Sequence, residues 1–351
     1  MQAAITHILP LTLIRRRRVL PVAGRVLVSE GQKVNAVDVI AEVNRPGQHT
    51  LVDVRRELGL ARTDEAEKLI VHQPGETIRQ GELIAQTGGV FRQVINSPVS
   101  GKIVAISAGR VLIETPATQP LKVLAGTSGV VRELIAEYGA LIETSGALVQ
   151  GLIGNNHIDQ GVLVVLARSP EDEFTTARLD VSMRGTVVLG GHCSQVDALR
   201  MAGEMALRGL ILSSITADLI PAIQQMAYPI IVLEGIGKIP FDVESFQVLT
   251  TSAKRDICIN ATAYQPYADE RPELIVPLPS IGGLPVKTGE YSAGKKVRIL
   301  AAPYAAQIGT LVQVRKGLTR LKNGILAPAG DVRLENNELL TVPLANLDML
   351  E

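Results

Sequence analysis

Three short runs concentrate the polar chemistry of this chain: Gly190-Gly191-His192-Cys193-Ser194, Ser213-Ser214-Ile215-Thr216 and Glu234-Gly235-Ile236-Gly237-Lys238. Each follows an apolar run, so each is expected where a strand ends. The first leads into a helical pattern, whose free backbone N–H groups attract anions and would lower a nearby thiol pKa. The second offers hydroxyls. The third joins a carboxylate, a flexible backbone and a cation in Glu234, Gly235, Gly237 and Lys238. Such a set suits a small phosphate- or carboxylate-bearing ligand; the alternative is that glycines and short polar residues only make tight turns and caps. The glycine spacing fits neither G-x-G-x-x-G nor G-x-x-x-x-G-K-[ST], so no nucleotide fingerprint is present. His192 beside Cys193 invites a nucleophile and base, but sequence neighbours point apart and no third orienting residue can be assigned. No catalytic residue, metal set or cofactor is therefore assigned. Cys193 and Cys258 are the only cysteines, too few for a disulfide framework or a four-ligand zinc site.

The elements that would position these runs alternate. Gly161–Leu166, Thr186–Leu189, Gly209–Leu212, Tyr228–Leu233 and Asp256–Ile259 read as strands buried on both faces. Helical patterns over Gln195–Leu207, with Ser194 as N-cap, and over Ala217–Met226 and Val243–Ala253 separate most of them. This predicts a parallel α/β domain over 161–263, with a ligand crevice beyond the carboxyl ends of its strands. Cys258 reads as a core thiol within a strand.

In front of it the pattern is β. Pro21–Val28, Ser29–Val34 and Asp38–Val43 form strand, glycine turn and strand, and the pattern recurs over Leu69–Ala85, closing at Ser97–Val104. Residues 19–115 resemble the biotinyl/lipoyl-like barrel-sandwich hybrid of carrier domains and of the RnfC N-terminal region. That resemblance implies a β domain over 1–125, with an inserted segment at 44–68. The Met-Lys-Met or Asp-Lys-Ala setting of a carrier lysine is missing, and Lys33, Lys68 and Lys102 read as solvated surface. Arg15–Arg18 read as a solvated strand edge. Residues 126–160 are expected to be a partly helical connector, with Val130–Ala147 as the helix.

Residues 264–293, rich in proline and glycine, read as an extended linker. Five short strands are expected over 294–351, with an Asn336-Asn337 hairpin turn. The stretch Val297–Val312 resembles the KOW/SH3-like barrel of NusG and several ribosomal proteins, which implies binding of RNA, polymerase or other proteins. From Gly294 onward eight Lys/Arg face five Asp/Glu. Lys295, Lys296, Arg298, Arg315, Lys316, Arg320 and Lys322 would form a phosphate-contacting face.

The whole chain is neutral, with 35 Lys+Arg against 35 Asp+Glu, so any charged partner must be met by a local patch. No uninterrupted apolar stretch is long enough to span a bilayer, and the two cysteines fit a reducing cytoplasm. The expectation is a multidomain α+β protein: a barrel-sandwich hybrid, a parallel α/β sheet domain and a C-terminal SH3-like barrel. Its expected role is a non-enzymatic adaptor or scaffold docking on RNA, ribosome or transcription machinery. The alternatives are an enzyme or sensor for a small anionic ligand at the α/β loops, and a self-assembling structural protein.

Overall fold

A computed structural model describes residues 2–44, 47–88, 92–115, 120–265, 270–279 and 288–350. The chain divides into two compact units. One comprises Met1–Val19, Val26–Ala41 and Val123–Glu351; the other comprises Leu20–Arg25 and Glu42–Lys122.

The first unit is built on an 11-stranded sheet. Ile158–Val165, Val187–Cys193, Gly209–Ile215 and Ile230–Ile236 run parallel in sequence order. Their apolar side chains serve two cores. Val188, Leu210, Leu212 and Ile230 pack with Ala198, Leu199 and Ala202 of the helix Val196–Glu204. Leu189, Ile211 and Ile231 pack on the opposite side with Phe241 and Leu249, the latter from the helix Val243–Thr251. Burial on both faces is what continuous Val/Ile/Leu runs require.

The chain does not form the expected parallel α/β sheet domain. Strand makes up 48% of the structure and helix 15%, in mixed and antiparallel sheets, which is not a parallel α/β domain. After Val243–Thr251 the chain reverses through Lys254, in the left-handed region at φ 65. Asp256–Asn260 lies antiparallel to Ile158–Val165, and the sheet grows on through Glu273–Pro277, Gly139–Gln150 and Gly129–Ile135. An antiparallel strand buried on both faces has the same apolar run as a parallel one, so the sequence pattern carries no direction. The expected helix over 130–147 is two strands of this sheet. Within the expected linker, Glu273–Pro277 is an inner strand, while 266–269 and 280–287 lie outside the described residues.

The arginine run lies in Ile8–Val19, which is bonded to Gly139–Gln150 along most of its length. Arg16 reaches buried Glu273 at 2.6 Å, Arg15 reaches Glu143 at 2.8 Å, and Arg18 Nε donates to the Leu124 carbonyl at 2.8 Å. These contacts, rather than free solvation, hold three of the four arginines.

The sequence recurrence has a structural counterpart. In the first unit Gly31 N–H donates to Val131 O at 2.8 Å, Val131 N–H to Gln32 O at 2.9 Å, and Asn35 N–H to the Asp38 carboxylate at 2.7 Å. In the second unit, 44 positions on for the hairpin and 28 back for its partner strand, Gly75 N–H donates to Ile103 O at 2.7 Å. Ile103 N–H likewise donates to Glu76 O at 2.8 Å, and Arg79 N–H to the Glu82 carboxylate at 2.8 Å. Gly129 and Gly101 match as well: a Cβ would lie 2.5 Å from Glu143 O in one and 2.3 Å from Glu114 O in the other. The two copies are nested in sequence, since 71–113 falls between the two pieces of the first copy. The segment expected as an insertion at 44–68 supplies Val54 and Ala66 to the core of the second unit, and His49–Asp53 pairs with Arg110–Glu114.

The tail forms a 7-stranded sheet in the order Thr288–Glu290, Gln2–Thr6, Leu347–Leu350, Lys296–Ile299, Ile308–Arg320, Leu326–Leu334, Leu339–Pro343. The N-terminal strand thus completes it, parallel to Leu347–Leu350. Buried Arg271 and Asp348, 3.2 Å apart, fasten this junction, and Thr6 Oγ1 donates to Asp348 at 2.6 Å.

Candidate functional site

Parallel register brings the three sequence-selected runs to one end of the sheet, with Cys193 opposite Ile215 and Ser214 opposite Gly235. What they form there is closed. The segment Asp172–Phe174 lies along the first run: His192 N–H donates to Asp172 O at 2.8 Å and Phe174 N–H donates to His192 O at 2.7 Å. A Cβ on Gly190 would lie 2.7 Å from the Phe174 ring, and one on Gly191, at φ +103, would lie 2.3 Å from Asp172 O. These glycines admit protein backbone and an aromatic ring where a ligand was expected.

His192 is buried, and its Nδ1 lies 2.9 Å from Ser214 Oγ. The Ser214 hydroxyl donates to Ile239 O at 2.7 Å and accepts from Ile239 N–H at 3.0 Å. With the serine proton committed to that carbonyl, His192 Nδ1 must be the donor, so the pair has the wrong polarity for a base activating a nucleophile. Burial holds the imidazole pKa below its ordinary value against the opposing charge of Glu173. Cys193 is corrected too. It is the last residue of the strand Val187–Cys193, its thiol donates to Gln195 O at 3.5 Å, and burial pushes its pKa up to about 11. Ser194 is exposed, and the helix N-cap is Gln195, which makes no side-chain cap. Ser213 is fully buried, and its hydroxyl has no hydrogen-bond partner among the described residues.

Glu234 and Arg298 come from different sequence-selected sets and meet in the interior, 2.8 Å apart and 3% and 1% exposed. Glu234 Oε1 also accepts from Asp242 N–H at 3.0 Å, and Arg298 donates to Leu233 O at 3.4 Å. Burial pushes the Glu234 carboxyl upward while the guanidinium pulls it down. Arg298 is therefore not part of an exposed phosphate-contacting face. Gly235 and Gly237 take φ +117 and +116 and turn the chain toward Lys238, whose ammonium meets Glu173 at 2.6 Å in solvent. The crevice beyond these ends, about 560 Å³, is lined by Glu171, Glu234, Asp242 and Glu335 against Lys238. With Glu234 neutralised by Arg298, the carboxylates of Glu171, Asp242 and Glu335 still outnumber Lys238 and disfavour the anionic ligand expected there.

The other cations divide by position. Lys295 is exposed, and Lys296 pairs with Glu244 at 2.5 Å. Arg315, Lys316, Arg320 and Lys322 lie on a hairpin arm, where Ile308–Arg320 and Leu326–Leu334 run on together past the core. From Gln313 to Leu326 every side chain is exposed or half-buried, and no acid occurs between Gln313 and Gly330. A bulge between Val314 and Leu318, with Gly317 at φ +70, sets the arm off from the sheet. At its base buried Asp331 accepts from Arg315 at 2.9 Å, Gln313 at 2.6 Å and Thr341 at 2.8 Å. Lys316, Arg320 and Lys322 form no ion pair among the described residues. Where separate short strands were expected, the structure has one long hairpin. Sequence reading missed Asp331 as its anchor, and the acid-free stretch that ends at this residue was the available signal.

No protein-family model and no curated protein matches this sequence. Among the described residues no cluster of three His, Cys, Asp or Glu could hold a metal ion, and no helix is long and apolar enough to cross a membrane.

Proposed function

We propose that this protein is a non-enzymatic adaptor that docks on an acidic macromolecular partner through the arm of its C-terminal sheet. The observation that carries this reading is the arm itself: four cations, three of them without an ion pair among the described residues, no acid, and side chains exposed or half-buried over Gln313–Leu326, in a chain of zero net charge. A local excess of one sign on a projecting element raises the encounter rate with the opposite sign and fixes orientation. RNA-containing and transcription assemblies are partners of this kind, and the resemblance of Val297–Val312 to KOW/SH3-like barrels agrees with them. A reducing cytoplasmic setting belongs to the same reading, with Cys193 and Cys258 as free buried thiols.

Fluorescence anisotropy with a labelled uridine homopolymer and with labelled polyglutamate tests it. The double variant Lys316→Glu, Lys322→Glu should weaken binding of at least one probe by about tenfold or more at low salt, and added salt should weaken the wild type. Failure of both probes to bind, or binding indifferent to the charge reversal, would remove the arm as the docking surface.

A further inference from the structure

We infer that the groove between the arm and the strand Leu339–Pro343 receives an extended acidic peptide segment of a protein partner, which adds to that strand as a further strand. This rests on the docking reading above and specifies its occupant.

Leu339–Pro343 ends the order of its sheet and, among the described residues, pairs only with Leu326–Leu334. Its outer side therefore presents alternate N–H and C=O groups with no ladder to join. Leu340 and Val342 enter the core, whereas Leu339 and Thr341 are exposed. That strand lines a groove of about 420 Å³ together with residues 301–304 and with Arg320 and Lys322, while Arg315, also in the lining, is held by Asp331. No carboxylate lines it.

Two features select the occupant. An unpaired strand edge is satisfied by another backbone with a two-residue period of donors and acceptors, which a peptide has and a nucleic acid lacks. The facing cations demand acidic side chains. They also disfavour a second copy of this chain, because edge-to-edge pairing would bring two cationic arms together. An acidic residue at every second position would face Arg320 and Lys322 while its intervening neighbours lay toward Leu339. The 3-10 turn Leu344–Asn346 closes the edge after Pro343, so the docked segment is short, matched to a strand of 5 residues.

A labelled short peptide alternating glutamate and valine is the probe, compared with the same peptide N-methylated on alternate residues in each phase. Methylation removes backbone donors and leaves charge unchanged. The parent should bind, methylation in one phase should weaken it about tenfold or more, and the other phase should bind nearly as the parent does. Arg320→Glu with Lys322→Glu, both at exposed positions, should abolish binding with an unchanged circular dichroism spectrum. Equal affinity of the parent and both methylated forms would overturn strand addition. So would a uridine homopolymer that binds through the arm and excludes the peptide, or a self-associated form in sedimentation that the peptide does not dissociate. If the homopolymer or polyglutamate binds through the arm and the peptide does not, this inference falls and the docking reading stands; if none of the three binds, both fall.

Discussion

Arg298 and Glu234 meet 2.8 Å apart in the interior of the first unit, joining the C-terminal sheet to the carboxyl end of the strand Ile230–Ile236. Neither side chain reaches solvent enough to contact a partner. They bond to each other, to Asp242 N–H, to the Ser245 hydroxyl and to the Leu233 carbonyl, while Arg298 Nε has no hydrogen-bond partner among the described residues.

Breaking that pair from one side leaves a buried charge without its counterpart. Arg298→Met should lower unfolding free energy by about 3–5 kcal/mol, and adding Glu234→Leu should recover much of the loss. In the single variant the Glu234 carboxyl, already raised by burial, loses the guanidinium that opposes the rise. The folded state then binds the proton more tightly than the unfolded one. The deficit should shrink as pH falls toward the ordinary carboxylate range and grow as pH rises through the raised value. Urea titrations at two pH values check both points.

Both thiols should be silent in the native protein. Burial raises the pKa of Cys258, as it does that of Cys193, which lies at about 11. A thiol reagent at neutral pH should label neither until denaturant is added. Rapid labelling of Cys193 in the folded protein would restore the activated-thiol reading.

Two glycines with similar backbone angles should respond differently to alanine. Gly31 has φ +78 and nothing within 4 Å of an added Cβ, so Gly31→Ala should cost about 1–2 kcal/mol of strain alone. Gly191 at φ +103 would set the Cβ 2.3 Å from Asp172 O, and Gly191→Ala should cost at least about 3 kcal/mol by displacing Asp172–Phe174 as well. Melting curves of the two variants give the comparison.

Acid should act on the base of the arm. Burial alone would raise the Asp331 pKa, but hydrogen bonds from Gln313, Thr341 and Arg315 hold it below the ordinary range. Its stabilisation is complete above the unfolded value near about 4 and is lost as pH falls through the lower folded value. Asp331→Asn should therefore destabilise the C-terminal sheet by about 1–3 kcal/mol at neutral pH. The difference from wild type should start to narrow below about pH 4 and close as pH falls through the lower folded value, where Asp331 itself becomes neutral.

The apolar runs from Gly161 to Ile259 were legible as doubly buried strands because composition records burial. Their direction was not, since Asp256–Asn260, antiparallel to Ile158–Val165, carries the same kind of apolar run as the parallel strands. The glycines at 190 and 191 were legible as places of close approach, but what approaches is Phe174 and Asp172, brought there by chain reversal rather than by any local signal. Asn337 at φ 65 turns the hairpin between Leu326–Leu334 and Leu339–Pro343, as asparagine chemistry leads one to expect. Arg298 looked like its basic neighbours because nothing in the run Lys295–Arg298 marks which side chain turns inward. Strand alternation puts Arg298 on the same face as Lys296, so only the burial of the strand beyond Lys296, with Glu234 opposite, separates the two.

Hydrogen exchange with and without polyglutamate tests docking at the arm most directly. Docking there should slow exchange over Gln313–Leu326 and Leu339–Pro343, with no change at 190–194, 213–216 and 234–238. Protection confined to those three loops, with the arm unaffected, would contradict it and return the binding site to the ends of the parallel strands.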